Sequence, residues 1–154
     1  MRGAVWAVLG ISCGLLCAVP ASAQTEDPYD SLLSGTWQEN WDRGDVCGAN
    51  AANFTITLDR KAKTVLFQYN KEVQGYDGKM RTQLRWFVRE YRPKSLVLAL
   101  DGETRKGDSG QPLEWELLLV GRGLYRWRAT EWPHREVNRV VGVRCTEGAA
   151  VKQP

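Results

Sequence analysis

The single histidine of the chain, His134, is the first residue to consider for catalysis, because an imidazole can act as a general base near neutral pH. It lies in Trp132-Pro133-His134-Arg135-Glu136, which reads as a loop between two strands. A base needs a nucleophile beside it, yet no serine is framed as Gly-x-Ser-x-Gly, and no cysteine stays reactive once the expected disulfide forms. We therefore expect a surface imidazole, no catalytic residues and no enzyme activity.

Metal sites and paired acids are the next sources of chemistry. Zinc takes several His and Cys ligands. The chain has one His and four Cys, of which two lie in an amino-terminal segment that we expect to be removed and two are expected to form a disulfide, so we expect no metal and no cofactor. Glu114 and Glu116 form the kind of acid pair that a glycosidase uses. Residues two apart on one strand point to the same side, however, and we expect both carboxylates to be solvated on the outer face of a sheet.

The amino-terminal end has the three parts of a cleavable export signal. Arg2 gives a positive start, an almost uncharged apolar run covers residues 4–19, and a small-x-small motif precedes Gln24. We therefore predict that residues 1–23 are removed and that the mature chain is periplasmic or secreted.

Two alternatives to cleavage stay open. A retained anchor needs roughly 20 apolar residues, and the run here is shorter and contains Gly10 and Gly14. A lipoprotein attached at Cys17 needs small residues just before the cysteine, whereas Leu15 and Leu16 stand there.

The cysteines of the mature chain predict one disulfide. Cys13 and Cys17 leave with the signal, so only Cys47 and Cys145 remain, and an oxidising compartment favours their pairing. Closing a loop of about 100 residues stabilises a fold by roughly 4 to 5 kcal/mol in the chain-entropy model. Two buried free thiols are the alternative.

Short alternating apolar runs, bounded by Gly, Pro, Asp and Asn, recur along the mature chain and predict an antiparallel sheet. We expect an arm with one helical turn over 24–34, a barrel domain over 35–146 and a flexible tail over 147–154. The eight predicted strands cover 35–41, 53–60, 64–70, 81–91, 95–101, 113–120, 124–131 and 137–145. Strands joined mostly by hairpins close naturally into an up-and-down meander, so the predicted fold is an all-β, eight-stranded antiparallel barrel.

The alternation also predicts which side chains face the interior. The apolar stripes consist of Phe54, Ile56 and Leu58; Val65, Phe67 and Tyr69; Leu113, Trp115, Leu117 and Leu119; Tyr125, Trp127 and Ala129; and Val137, Val141 and Val143. The strand over 81–91 is ambiguous, because Trp86 and Val88 lie on one face whereas Phe87 and Tyr91 lie on the other.

Arginines interleave with aromatic residues over 85–92 and 125–132, a pattern that can bind single-stranded nucleic acid. Export removes that substrate, and the formal charge of +3, which falls to +2 without Arg2, is small for such a role. We expect arginines outside and rings inside, with a charged aromatic patch for an acidic partner or a polysaccharide as the alternative. We expect no nucleic-acid partner and no stable membrane insertion.

The segment Leu32-Leu33-Ser34-Gly35-Thr36-Trp37 places Gly-x-Trp at the start of the first strand, after a helical turn and before a meander of strands. This order resembles the lipocalin or broader calycin superfamily, in particular its short bacterial members. The resemblance implies that Trp37 closes the barrel floor and that an arginine of the last strand, Arg144 or Arg139, packs across its ring.

Two binding functions follow. Trp37, Phe67, Tyr69, Trp115, Tyr125 and Trp127 can line a pocket for a small hydrophobic ligand, or they can simply fill the barrel. The chain also resembles periplasmic inhibitors of secreted metalloproteases, which implies that an arm over 24–31 enters a partner's cleft. We predict an exported, non-enzymatic binding protein for a small hydrophobic molecule, with a module that binds a secreted protein partner as the alternative.

Overall fold

The computed structural model describes residues 28–40, 47–48 and 50–145. They form helix α1 (Pro28–Leu33) and the strands β1 (Thr36–Glu39), β2 (Asn53–Asp59), β3 (Thr64–Gln74), β4 (Met80–Arg92), β5 (Ser95–Leu100), β6 (Glu114–Gly121), β7 (Leu124–Ala129) and β8 (Val141–Cys145). The strands pair in sequence order, and β8 pairs back with β1 to close the barrel. The predicted eight-stranded antiparallel up-and-down barrel, with its short amino-terminal helical turn, is confirmed.

Several sequence predictions fall elsewhere in the chain. The signal peptide over 1–23, the start of the arm over 24–27, the end of the first predicted strand at Trp41 and the tail over 147–154 lie outside the described residues. Within the described part, no helix has the length and apolar character needed to cross a bilayer.

Alternation correctly predicts the interior of the regular strands. The side chains of Phe54, Phe67, Trp115 and Trp127 are buried, as are most of their partners in the predicted stripes. Outward residues of β7 such as Arg126 are only half-buried. The core of the barrel therefore combines aromatic and aliphatic side chains, and the arginines of the interleaved segments lie outside it.

A β-bulge resolves the ambiguity of β4. Trp86 and Val88 face the interior and are buried, whereas Phe87 faces outward and is 38% exposed. The register with β5 shifts between Val88 and Glu90, so one extra residue changes the alternation of faces. Tyr91 consequently pairs with the buried residue Leu96 and joins the inner face near the barrel floor.

The prediction for the last strand was wrong in its choice of face. Val141 pairs with Arg126, and Val143 pairs with Gln38, so both valines lie on the outer side. The inner position between them belongs to Gly142, because the ring of Tyr125 lies against it: a Cβ on Gly142 would stand 2.1 Å from ring atoms of Tyr125. Alternation along one strand cannot reveal an inner position, such as Gly142, where the space is filled by a side chain from the neighbouring strand.

The barrel floor is closed by Trp37 and Arg144. Trp37 is fully buried, and its Nε1 donates a hydrogen bond of 2.8 Å to the Leu33 carbonyl at the end of α1. The guanidinium carbon of Arg144 lies 5.1 Å from the Trp37 ring centroid, and Nη2 donates to the Ser31 carbonyl at 3.2 Å. The cation thus covers the indole face and ties α1 to β8.

Helix α1 seals the floor from below. Tyr29 is buried, and its hydroxyl donates a hydrogen bond of 3.1 Å to the Ser95 carbonyl in β5. The part of the predicted arm that the structure describes, residues 28–31, therefore packs on the barrel instead of projecting from it.

The predicted disulfide between Cys47 and Cys145 is present, with Cα atoms 5.4 Å apart and a sequence separation of 98. Cys47 lies in the connection from β1 to β2, and its backbone N–H donates to the side chain of Gln38. Gln38 is an outward residue of β1, yet it is buried. The disulfide and this hydrogen bond hold Cys47 against the outer face of the barrel.

Glu116 corrects the expectation that the two strand acids are solvated. Its side chain is only 4% exposed, beneath Arg92 and Arg128, both of which pair with it. The Ser95 hydroxyl donates to Glu116 at 2.5 Å. Burial alone raises the pKa of Glu116, but the hydrogen bonds from Ser95, Arg128 and Arg92 outweigh it and hold the pKa below its ordinary value. Glu114 behaves as expected, with a 41% exposed side chain beside Arg89.

We expect Glu116→Gln to destabilise the fold by about 2 kcal/mol at neutral pH, because an amide leaves two arginines without a buried counter-charge. The folded-state pKa of Glu116 lies below 4.5, so this contribution is complete above about pH 4.5 and is lost as the pH falls through the folded value. Urea unfolding between pH 3 and 7 measures both effects. Glu114→Gln is the matched control, and an equal loss in the two variants would contradict this account.

Candidate functional site

The candidate site is a cavity of about 540 Å³ at the barrel end opposite α1. Its volume falls within the range of about 300 to 1,000 Å³ that is usual for small-molecule sites. The residues that line it include the aromatic rings of Phe54, Phe67, Tyr69, Tyr76, Trp86, Trp115 and Trp127, and polar residues such as Gln38, Lys71, Glu72, Gln74 and Asn138. Leu84 adds an aliphatic side chain, and Glu39 adds a carboxylate.

The interior is divided into a filled floor and an open upper part. Of the six rings predicted for a ligand, Phe67, Tyr69, Trp115 and Trp127 line the cavity. Trp37 and Tyr125 do not: both are fully buried, with ring centroids 5.2 Å apart, and they fill the space next to the floor. The half of the barrel next to the floor is thus filled by side chains, whereas the other half is open.

The cavity wall is a continuous cluster of packed rings. Trp86 and Trp127 stack with centroids 5.0 Å apart, and Phe54 and Phe67 stack at 5.1 Å. Phe67 joins the two pairs because its ring lies 6.0 Å from that of Trp127. Rings held by one another in this way form a preformed surface, so a ligand would not need to order it.

Glu39 brings a carboxylate to the aromatic wall. Its Oε1 accepts a hydrogen bond of 2.8 Å from the Tyr125 hydroxyl and one of 2.6 Å from Trp127 Nε1. Glu39 shares the inner face of β1 with Trp37, two residues before it. Glu39 was not among the residues predicted to line a pocket, although the same alternation that puts Trp37 inside also places Glu39 there.

The tyrosines next to Glu39 remain neutral donors. Burial raises the pKa of Tyr69, and the negative charge of Glu39 raises it further. Burial also raises the pKa of the fully enclosed Tyr125, again with a contribution from Glu39. Both hydroxyls therefore keep their protons across the physiological range, and the carboxylate is the acceptor in this part of the site.

The mouth of the cavity is bordered by the hairpin between β3 and β4. Tyr76, at the hairpin tip, lies over Arg105, whose guanidinium carbon is 3.5 Å from the ring centroid. Two hydrogen bonds, of 2.8 and 2.6 Å, bind Arg105 to Glu103, which also accepts one of 3.4 Å from Trp115 Nε1. This cluster ties the hairpin to the connection between β5 and β6, and the charge of Arg105 is balanced within it.

The residues considered for catalysis do not form a reactive group. His134 is exposed, and its Nδ1 lies 3.2 Å from Nη1 of Arg128, a donor that cannot act as its acid or nucleophile partner. Across residues 28–40, 47–48 and 50–145, no three His, Cys, Asp or Glu side chains cluster in a way that would hold a metal ion.

Comparisons of the chain with protein-family profiles, with curated proteins and with solved structures find no match.

Proposed function

We propose that the protein is an exported, non-enzymatic binding protein of the calycin type, and that it holds a small hydrophobic molecule in the cavity above Trp37 and Tyr125. The observation that carries the proposal is an open volume of about 540 Å³ within a wall of packed aromatic rings. A cavity of this size lined by apolar rings leaves hydrophobic surface in contact with water. Covering such surface stabilises a complex by roughly 25 cal/mol per Å².

Export is supported by two separate features. The amino-terminal sequence is typical of a cleavable signal, and the disulfide between Cys47 and Cys145 is of the kind that persists in oxidising compartments. The calycin assignment is supported by the closed eight-stranded barrel and by the packing of Arg144 over Trp37 at its floor.

A protein partner recognised through the amino-terminal arm receives less support. Residues 28–31 would belong to that arm, yet Tyr29 is buried and Ser31 accepts a hydrogen bond from Arg144. We prefer the small-molecule proposal because the cavity that it requires is present in the fold.

Binding can be tested with the fluorescent apolar probe N-phenyl-1-naphthylamine. We expect the protein to enhance its emission, and we expect Leu84→Trp to weaken binding at least tenfold, because an indole at this half-buried position occupies the cavity. Val120→Trp adds the same ring at an exposed position and is the matched control. Equal binding by the two variants, or no binding by the parent protein, would contradict the proposal.

A further inference from the structure

We infer that the floor end of the barrel docks on the surface of an anionic lipid bilayer. Three short connections form the docking surface, and we call them the floor connections: residues 60–63 between β2 and β3, 93–94 between β4 and β5, and 122–123 between β6 and β7. They surround α1, whereas the cavity lies at the other end of the barrel. The inference goes beyond the proposed function and does not depend on the cavity or on its ligand.

The floor connections contain basic residues and no acidic residue. The basic residues are Arg60, Lys61, Lys63, Lys94 and Arg122. Asp30 on α1 and Asp59 at the end of β2 are exposed acids at the same end, and the basic residues outnumber them. At the other end of the barrel, the connections over 75–79, 101–113 and 130–140 each contain residues of both signs. The positive charge of these connections is thus concentrated at the floor end, where it would attract an anionic surface.

Four of these cations are available to a partner. Lys61, Lys63, Lys94 and Arg122 are exposed, and the ion pairs between the described residues all involve other basic side chains. Arg60 is different, because its guanidinium carbon lies 4.8 Å from the Tyr91 ring centroid. Exposed cations that the fold itself does not neutralise can pair with the phosphates of lipid head groups.

Backbone hydrogen bonds hold the floor connections in place. The Lys63 carbonyl accepts a hydrogen bond of 2.8 Å from Val88 in β4, and the Lys94 carbonyl accepts one of 2.9 Å from Leu119 in β6. The Gly123 carbonyl accepts one of 2.9 Å from β8. Each connection is thereby fixed to the next strand around the barrel, so a bilayer would not need to order the backbone of the docking surface.

Exposed aliphatic side chains favour a bilayer over a soluble polyanion. Val120 and Leu124 flank the third floor connection and are 56% and 41% exposed. Together with Arg122, they form a tip that combines a cation with apolar surface. An anionic bilayer offers both negative head groups and an apolar boundary below them, whereas a soluble polyanion offers charge alone. Attachment of this kind is peripheral and reversible, and it differs from insertion across the bilayer.

Flotation with lipid vesicles tests the docking surface. The chain should begin at Gln24, because the apolar run over 4–19 would itself bind bilayers. We expect binding to phosphatidylcholine vesicles that contain about 30% phosphatidylglycerol and little binding to pure phosphatidylcholine vesicles, since the attraction requires anionic lipid. High salt should weaken the binding because it screens exposed charges.

Two triple variants locate the charge that is responsible. Lys61→Gln, Lys94→Gln and Arg122→Gln together should lower the vesicle partition coefficient at least tenfold, because each basic residue near an anionic surface contributes about fivefold. The matched control replaces three exposed basic residues of the connections at the other end and should bind like the parent protein: Lys79→Gln, Lys106→Gln and Arg135→Gln.

The apolar tip needs a separate measurement. An environment-sensitive fluorophore attached to Leu124→Cys should brighten when anionic vesicles are added, whereas the same label on Ser109→Cys, exposed at the other end, should not change. Val120→Ser with Leu124→Ser should lower the partition coefficient at least threefold while the charge stays the same.

Binding by the parent protein decides the matter even if a variant fails to fold. The inference is overturned if the parent does not bind anionic vesicles, or if the two triple variants bind them equally. It is also overturned if dextran sulfate binds as tightly as the vesicles and the label at position 124 does not respond, because the surface would then recognise a soluble polyanion. None of these outcomes affects the proposed function of the cavity, which N-phenyl-1-naphthylamine tests separately.

Discussion

Replacing both disulfide cysteines, Cys47→Ala with Cys145→Ala, is expected to lower the free energy of unfolding by about 4 to 5 kcal/mol. The crosslink joins residues separated by 98 positions, so it restricts most of the described chain in the unfolded state. In the folded state Cys47 also donates a backbone hydrogen bond to the side chain of Gln38. Urea unfolding of the chain that begins at Gln24, the predicted mature form, measures the loss without interference from Cys13 and Cys17.

A reductant provides the control for this experiment. Dithiothreitol should shift the unfolding midpoint of the parent protein to that of the double variant, and it should leave the double variant unchanged. If reduction lowers the free energy of unfolding of the parent protein by less than about 1 kcal/mol, the disulfide does not stabilise the fold by restricting the unfolded chain.

The architecture was accessible from the sequence because its main signals are local. Alternation with period two shows which residues are buried, and short turn segments join neighbouring strands, so eight runs of this kind specify a meander. The disulfide followed from counting the two cysteines that remain in the predicted mature chain. These predictions needed no knowledge of which side chains meet inside the barrel.

The parts that the sequence left open or predicted wrongly depend on contacts between distant segments. A bulge near Arg89 changes the face of Tyr91, and its position is set by pairing with β5. Glu116 is buried because two arginines from other strands cover it. Neither effect can be read from the alternation of a single strand, since each depends on what the neighbouring strands place beside it.

Only part of the candidate site could be predicted from the sequence, for the same reason. Four of the six selected rings line the cavity, because ring size and inward direction are sequence properties. The boundary between floor and cavity is set by the Tyr125 ring, which can occupy its place only because Gly142 has no side chain. Glu39 then receives the Tyr125 hydroxyl, so the carboxylate of the site and the glycine of β8 are linked through one tyrosine.

Gly142→Ala should therefore affect both the fold and the site. The new Cβ would stand 2.1 Å from two atoms of the Tyr125 ring, and the ring cannot move away freely because it packs on Trp37 and Trp127. We expect a loss of about 3 kcal/mol or more, with a fall in Tm on the order of 10 °C. Displacement of the ring also removes the hydrogen bond from Tyr125 to Glu39, a residue that lines the cavity.

Gly121→Ala is the matched control for this substitution. Gly121 ends β6, and a Cβ built there meets no atom within 4 Å, so the same added methyl group should change the free energy of unfolding by less than about 0.5 kcal/mol. Thermal unfolding followed by near-ultraviolet circular dichroism reports both stability and the packing of the tyrosine and tryptophan rings. Equal stability of the two alanine variants would show that the Tyr125 ring does not fill the inner position of β8, and the division of the barrel into floor and cavity would then have to be abandoned.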